Sequence, residues 1–347
     1  MSSNDIKKRK LDHLKIALSD GAQIGSAGFD GYRFIHNALP EIDFDKIDTS
    51  VNFLGTKVAF PFFISCITGG IKEGKRINRN LAKAAQKHRI PMGVGSQRAS
   101  IEHEDLKDLF MAREVAPDIP LLANIGLVQL NYGFGLKEYQ QCVDMIDANA
   151  LVVHINPIQE IIQPEGDKNW SRLLIKLEKI VSKLSVPVIA KEVGFGLSED
   201  VVRRLYNIGI RTFDTAGWGG TNWSYVEGMR GKADKDLGLL FSNWGIPTVD
   251  SIKMCSTFRQ SLKTKDQRQM TILGSGGVRH GVDIAKAISL GSDLVGLATP
   301  FGKSALRSTK EVGKTIERLG MELKVAMFGV GAKDIKELQA ISLTKVL

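Results

Sequence analysis

The chain has 347 residues, 43% of them hydrophobic and 24% charged, an ordinary globular balance that excludes a disordered tail or a fibrous repeat. A net charge of +9 raises three kinds of anionic partner, namely nucleic acid, membrane and phosphorylated metabolites, and without a zinc finger or an aromatic-rich RNA motif nucleic acid is the weakest. No apolar run approaches the roughly 20 residues of a membrane span, and the charged start through Lys10 leads into no apolar stretch, so a soluble cytoplasmic protein is expected.

Residues 1 to about 60 read as an irregular N-terminal extension, with Lys7, Lys8, Arg9 and Lys10 leading into a short helical pattern at Leu11, Leu14 and Leu18. From Phe62 the pattern turns regular: short apolar runs, each followed by Gly or polar residues and then by an amphipathic stretch. Eight such runs occupy residues 62–67, 92–95, 121–125, 151–155, 188–191, 212–214, 271–274 and 294–297. The stretches between them keep helical spacing, as in Ile77, Leu81, Ala84, Ala85 and His88, and again in Trp170, Leu173, Leu174, Leu177, Ile180, Val181 and Leu184. Eight alternations with doubly covered strands predict an α/β fold, a (β/α)8 TIM barrel over residues 61–347. The 35 glycines against 10 prolines suit its many tight turns. A doubly wound sheet is the runner-up, but the glycine-rich turn that would open its first unit is missing. Residues from about 217 to 248, with Arg230, Lys232 and Lys235, form a long polar connection of the kind that serves as a lid. Cys66, Cys142 and Cys255 are too widely spaced for a Cys-x-x-Cys site and read as small buried hydrophobes.

A barrel of this kind places its active site at the carboxyl ends of the strands, so the polar residues after each run are the ones to collect. In chain order they are Thr68, Gly69 and Gly70; Ser96, Gln97 and Arg98; Asn124; His154, Asn156, Gln159 and Glu160; Lys191 and Glu192; the run 214–223; Ser275, Gly276 and Gly277; and Ala298 with Thr299. Turn residues are expected at such places in any barrel. An Arg, a His and a Lys converging from different strands are harder to dismiss. Gly276 and Gly277, with Arg279 after them and a helix start behind, let backbone N–H groups approach a phosphate. Together with the glycine-rich eighth strand, this stretch resembles the phosphate site of flavin mononucleotide-dependent barrels, a class that includes the 2-hydroxyacid oxidases. A flavin gains negative charge at its pyrimidine edge on reduction, and Lys191, ending the fifth run, is placed to meet it. Thr68, Ser96, Asn124 and Thr221 would add neutral hydrogen bonds to the ring edges.

Six blocks together resemble the type 2 isopentenyl diphosphate isomerases: residues 9–13, 67–70, 95–98, 154–160, 191–194 and 219–223. The match runs from residue 9 to about 300, in order and at strand ends, and its one departure is Ile67 where methionine is common. The resemblance implies an enzyme of isoprenoid biosynthesis that interconverts isopentenyl and dimethylallyl diphosphate by a 1,3-allylic proton shift. It implies reduced FMN as the acid and base, Mg²⁺ on the diphosphate, and NADPH or NADH as the reductant. Carried over residue by residue, Ile67, Thr68, Gly69, Ser96, Asn124, Lys191, Thr221, Gly276, Gly277, Arg279, Ala298 and Thr299 would bind FMN. Arg9, Lys10, His13, Ser96, Arg98, His154, Asn156 and Gln159 would hold substrate, with Gln159 at the hydrocarbon end as the catalytic relay. Glu160 would bind Mg²⁺, directly or through water. A basic run such as 7–10 is usually a solvated tail. On the resemblance, residues 1–60 instead fold over the barrel mouth and complete the pocket. The partners implied are a small diphosphate substrate, neither nucleic acid nor membrane, and further copies of the chain in a tetramer or octamer.

Three rival readings lack residues or leave them idle. A 2-hydroxyacid oxidase needs a His base with a nearby Arg after late strands, and residues 214–221 hold no histidine. An IMP dehydrogenase-like barrel needs a nucleophilic cysteine after its sixth strand, whereas none lies between Cys142 and Cys255. A barrel that only senses a phosphorylated ligand leaves Lys191, Gln159 and Glu160 without a purpose. His36, His88, His103 and His280 read as surface or structural.

Overall fold

The computed structural model describes residues 3–67, 72–231 and 233–346. Eight parallel strands close into the expected barrel: β1 (Phe62–Ile64), β2 (Met92–Gly93), β3 (Leu121–Gly126), β4 (Ala150–Ile155), β5 (Val188–Glu192), β6 (Thr212–Asp214), β7 (Thr271–Ser275) and β8 (Leu294–Leu297). Each pairs with the next in sequence, and β8 returns to β1 through Val295 opposite Phe62. The strands are apolar on both faces because each face is covered. Phe63, Leu122, Val152, Ile189, Leu273 and Leu294 fill the interior. Phe62, Ile64, Leu121, Leu151 and Val295 join the larger cluster beneath the surrounding helices.

The helices obey the spacing seen in the sequence. Ile77, Leu81, Ala84 and Ala85 are all buried in the helix Lys72–His88, as are Leu173, Leu177 and Ile180 in the helix Leu173–Val181. Each buried Leu or Ile contributes about 2 kcal/mol. Truncating Leu177 to Ala would cost about 3 kcal/mol once the cavity left behind is counted.

Two regions expected to be irregular are built from short elements. The N-terminal segment contains α1 (Ser3–Ala17), then a strand Tyr32–Phe34 that pairs antiparallel with Leu343–Lys345 near the chain end. A hairpin of Val51–Phe53 and Thr56–Val58 follows, and its Phe53 and Val58 plug the amino-terminal end of the barrel against Phe63. Three-residue strands are too short to display an alternation, which is why they read as loop. The helix α2 (Pro157–Ile162) follows β4. Residues 217–248 likewise contain α3 (Trp223–Gly228) and the helix Lys235–Leu240. Their starts are capped by Asn222, whose Oδ1 accepts from the Tyr225 N–H at 3.0 Å, and by Asp234, which accepts from the Leu237 N–H at 2.9 Å. Lys232 lies outside the described residues.

Cys142 and Cys255 are buried as expected, but Cys66 is only partly so and faces the cavity described below, because it follows β1 at the carboxyl end. Among the described residues, no helix is long and apolar enough to cross a membrane.

Candidate active site

A cavity of about 240 Å³ opens at the carboxyl ends of the strands. Thr68 and Gly69 lie outside the described residues. All the other residues assigned to cofactor, substrate or metal line it: Ile67, Ser96, Asn124, Lys191, Thr221, Gly276, Gly277, Arg279, Ala298 and Thr299, and facing them Arg9, Lys10, His13, Arg98, His154, Asn156, Gln159 and Glu160. Of the other strand-end residues, Gln97 and Glu192 are buried away from it, bonded to the backbone around them.

One wall is made of backbone. Gly276 and Gly277 have φ of +106° and +67°, and a Cβ on them would lie 2.2 Å from the Gly217 carbonyl oxygen and 2.3 Å from that of Gly219. Only glycine lets this turn pack so closely on the loop after β6. Among the described residues, the N–H groups of Gly276, Gly277 and Val278 meet no acceptor, and the helix Gly281–Ser289 begins just behind them. Such free donors form an anion cradle. Arg279 closes its side, its pKa pulled down by burial, a cost that a bound anion would offset. Gln23 then ties the cradle together: its Oε1 accepts from Arg279 Nη2 at 2.6 Å and from Thr299 Oγ1 at 3.3 Å, and its Nε2 donates to Thr221 Oγ1 at 3.2 Å.

The floor is a layer set by strand register. His154 stands opposite Lys191, and Lys191 opposite Asp214; His154 and Lys191 line the cavity, and Asp214 is buried in the same layer beside them. Lys191 Nζ donates to the Glu192 carbonyl at 2.7 Å and lies 4.0 Å from Asp214 Oδ2. Asn124 donates its Nδ2–H to the Val94 carbonyl at 3.2 Å, so its Oδ1, 2.7 Å from His154 Nδ1, is an acceptor. This assigns the His154 proton to Nδ1. Burial, with Lys191, Lys10 and Arg98 nearby, pushes His154 down to about 3, and the ring is neutral.

The mouth is made of side chains. α1 brings Arg9, Lys10 and His13 over the cavity, where Leu14, Ala17 and Leu18 also line it. Burial, then Arg9 and Arg98, push Lys10 down to about 8. Burial also works against Arg98, but Glu102 at 2.8 Å and Asp167 at 2.5 Å outweigh it and its pKa shifts upward. Cations that depress one another in this way are ready for a multivalent anion.

Behind the mouth lies a buried ionic network centred on Glu227 in α3. Gln159 Nε2 donates to Glu227 Oε1 at 2.8 Å, His13 Nε2 is 2.9 Å from the same oxygen, and Arg230 is 2.5 Å from Oε2. Arg230 also reaches Glu165 at 2.5 Å. Burial works to raise Glu227, but His13, the Gln159 amide and Arg230 hold it down to about 2. The same burial pulls His13 below its ordinary value, against the pull of Glu227.

Glu160 is raised by its burial, although its oxygens accept from the Asp167 N–H at 2.8 Å and Asn156 Nδ2 at 3.0 Å. Asn156 Oδ1 is buried with no donor facing it among the described residues. A hydrated Mg²⁺ fits such a place, an acceptor beside one carboxylate. No group of three or more His, Cys, Asp or Glu among the described residues could hold a metal alone, so its remaining ligands would be water and phosphate oxygens.

Sequence reasoning missed Gln23, Gln129, Glu165, Asp167, Glu227 and Arg230 as site residues. Asp167 receives both Arg98 and, at 3.1 Å, Gln129. These residues come from loops and helices whose mutual approach has no sequence spacing. The one available signal was Glu227 at the same helical face as Trp223.

The family model for FMN-dependent dehydrogenases matches residues 5–117 and 165–345. An isopentenyl-diphosphate delta-isomerase of Rickettsia bellii (strain RML369-C) is 45% identical over 339 residues, covering 97% of each chain. One from Paracoccus zeaxanthinifaciens is 46% identical over 335 residues, 95% of each. Among solved structures, a lactate oxidase of Pediococcus acidilactici superposes with a TM-score of 0.66 at 18% identity, over 96% of this chain and 87% of that one. A mandelate oxidase variant carrying an FMN adduct gives 0.64 at 15% identity, over 96% and 92%. At such identities the solved structures speak for the fold alone.

Proposed function

This chain belongs to the isopentenyl-diphosphate delta-isomerase family of FMN-dependent barrels, and from that premise we propose that it interconverts isopentenyl and dimethylallyl diphosphate by a 1,3-allylic proton shift without net oxidation. The observation that carries this reading is a backbone phosphate cradle facing a cation-rich mouth across one cavity, with the Gln159 and Glu227 pair between them. Bound and reduced, FMN would supply an electron-rich face and a proton donor and acceptor beside the alkene. The N–H groups of Gly276, Gly277 and Val278, with Arg279 and Thr299, would hold its phosphate. Lys191 would face its pyrimidine edge, and Ile67, Thr68, Gly69, Ser96, Asn124, Thr221 and Ala298 would complete the ring pocket.

Arg9, Lys10 and Arg98 would bind the substrate diphosphate, with Ser96, the neutral His154 ring, His13 and Asn156 beside it. Glu160 would carry Mg²⁺, which neutralises diphosphate charge. An unactivated alkene is a very weak base, so the site must exclude water and favour developing positive charge. Leu14 and Ala17 of α1, with Leu18 just after it, supply the dry cover, and the Glu227 carboxylate, paired with Arg230, stands behind Gln159. Held between Asn156 at 3.1 Å and Glu227 at 2.8 Å, the Gln159 amide is fixed for relaying a proton at the hydrocarbon end. NADPH or NADH would serve only to reduce the flavin, and further copies of the chain would complete the assembly.

The test is an isotope experiment in deuterated water with the reduced protein. The product is expected to gain deuterium at the carbon that receives the proton, while nicotinamide is consumed only in the trace needed for the first reduction. One nicotinamide or one oxidant consumed per turnover would overturn the reading.

A further inference from the structure

Asp214, at the carboxyl end of β6, has no part in the reading above, yet it is 1% exposed in the layer beside Lys191. A carboxylate is expensive to bury without partners. Its partners are few. Ser275 Oγ accepts from the Ala216 N–H at 3.2 Å, so the serine's own proton is directed at Asp214 Oδ1, with which it makes a short hydrogen bond. Asp214 Oδ2 faces the Lys191 ammonium at 4.0 Å, the one cation within that distance among the described residues. Both oxygens therefore face donors, which favours the carboxylate: burial raises the Asp214 pKa, and Lys191, Ser275 and the Ala216 N–H pull against it. Nearby Cys66 has its thiol pushed up to about 11 by burial and carries no charge. His154, on the other side of Lys191, is neutral.

We propose that Asp214, anchored by Ser275, is a positioning residue that acts as the counter-charge of Lys191 and limits how strongly that lysine favours reduced over oxidised FMN. The proposal rests on the reading of Lys191 as the cation at the pyrimidine edge. To a group beyond it, a lysine paired at 4.0 Å presents a dipole; without that carboxylate it presents more of its charge, because the other nearby carboxyl, Glu192, is pushed up to about 7 by burial and its Oε2 is taken up by the N–H groups of Val193, Gly194 and Phe195. Removing the carboxylate therefore favours the form of the flavin that carries more negative charge. Lys191 keeps its acceptor at the Glu192 carbonyl and gains the reduced flavin's charge, so the ammonium persists.

The experiment is an anaerobic reductive titration of the FMN-loaded protein against a reference dye at neutral pH. For Asp214→Asn the ratio of reduced to oxidised FMN affinity should rise about tenfold, about 30 mV upward for a two-electron couple. Lys191→Met should move the potential down. A merely structural role for Asp214 would loosen both flavin forms alike and leave the potential where it was. An unchanged or lower potential in Asp214→Asn with FMN bound overturns the proposal, provided Lys191→Met responds. A Lys191→Met protein with an unshifted potential instead removes the premise, and the proposal with it. Should Asp214→Asn fail to accumulate, the double variant Asp214→Asn with Lys191→Met deletes a neutral pair. Its potential should return toward that of the unaltered protein, and a value equal to Lys191→Met alone contradicts the counter-charge.

Discussion

At the tips of β7 and β8 the candidate anion site consists of backbone N–H groups that a glycine turn leaves free, with Arg279 and Gln23 as side supports. Across the same cavity the mouth consists of side chains from α1, from the short helix Arg98–Glu102 after β2 and from α3, held by Glu102, Asp167 and Glu227. The backbone N–H groups of the first site cannot titrate and are lost only if their packing is lost. The second is a balance of charges that pH, salt and single substitutions can tip. On the proposed reading the firm half would hold the cofactor, which stays, and the adjustable half would hold the substrate, which must leave.

The sharpest way to separate the halves is at Gln159. Gln159→Ala should lower kcat about 100- to 1000-fold, within the usual range for a proton-transfer group, while the flavin remains bound. Steady-state kinetics with the absorption spectrum checks both, and flavin loss would assign Gln159 to the wrong half. Glu227→Gln should act in the same direction, since it removes the charge behind the amide.

Gly276→Ala attacks the other half. The new methyl would lie 2.2 Å from the Gly217 carbonyl at φ +106°, so a cost of at least about 2 kcal/mol is expected. A lower Tm and loss of FMN at every pH should follow. A variant that keeps both its Tm and its flavin would contradict a cradle made of backbone.

Arg98→Ala should raise KM for the diphosphate roughly 10- to 100-fold, the value of a charged hydrogen bond, and leave FMN in place. The smallest effect concerns Lys10. Its pKa in the folded protein is lowered from 10.5 to about 8, so the ammonium is present below pH 8 and lost above it. Diphosphate affinity should fall several-fold as pH rises through that value, and Lys10→Met should abolish this limb. Stability moves the opposite way: between about 8 and 10.5 the unfolded chain binds the extra proton, so the destabilisation caused by burying the ammonium fades as pH rises.

The contrast between the halves also explains what was legible in the sequence. Barrel strands buried on both faces are continuous apolar runs, and a phosphate cradle needs glycines at consecutive positions, so β1 to β8 and residues 276–277 stand out. Lys191 was visible because it ends such a run, and His154 because it interrupts another one residue before its end. Glu227, Arg230 and Glu165 meet through tertiary folding alone, and Gln23 reaches Arg279 from a stretch without periodicity. The helix α3 was hidden because its six residues are fewer than two turns. Its Asn222 cap was there to be read. Arg9 and Lys10 are the intermediate case: as a charge run they read as a solvated tail, and only the family resemblance places them at the mouth.

The most direct test incubates the FMN-loaded, reduced protein with isopentenyl diphosphate and Mg²⁺ under anaerobic conditions. The predicted result is dimethylallyl diphosphate, formed over many turnovers with no further reductant consumed. The contradicting result is no dimethylallyl diphosphate from the reduced protein, alongside turnover of lactate or another 2-hydroxy acid by the oxidised one.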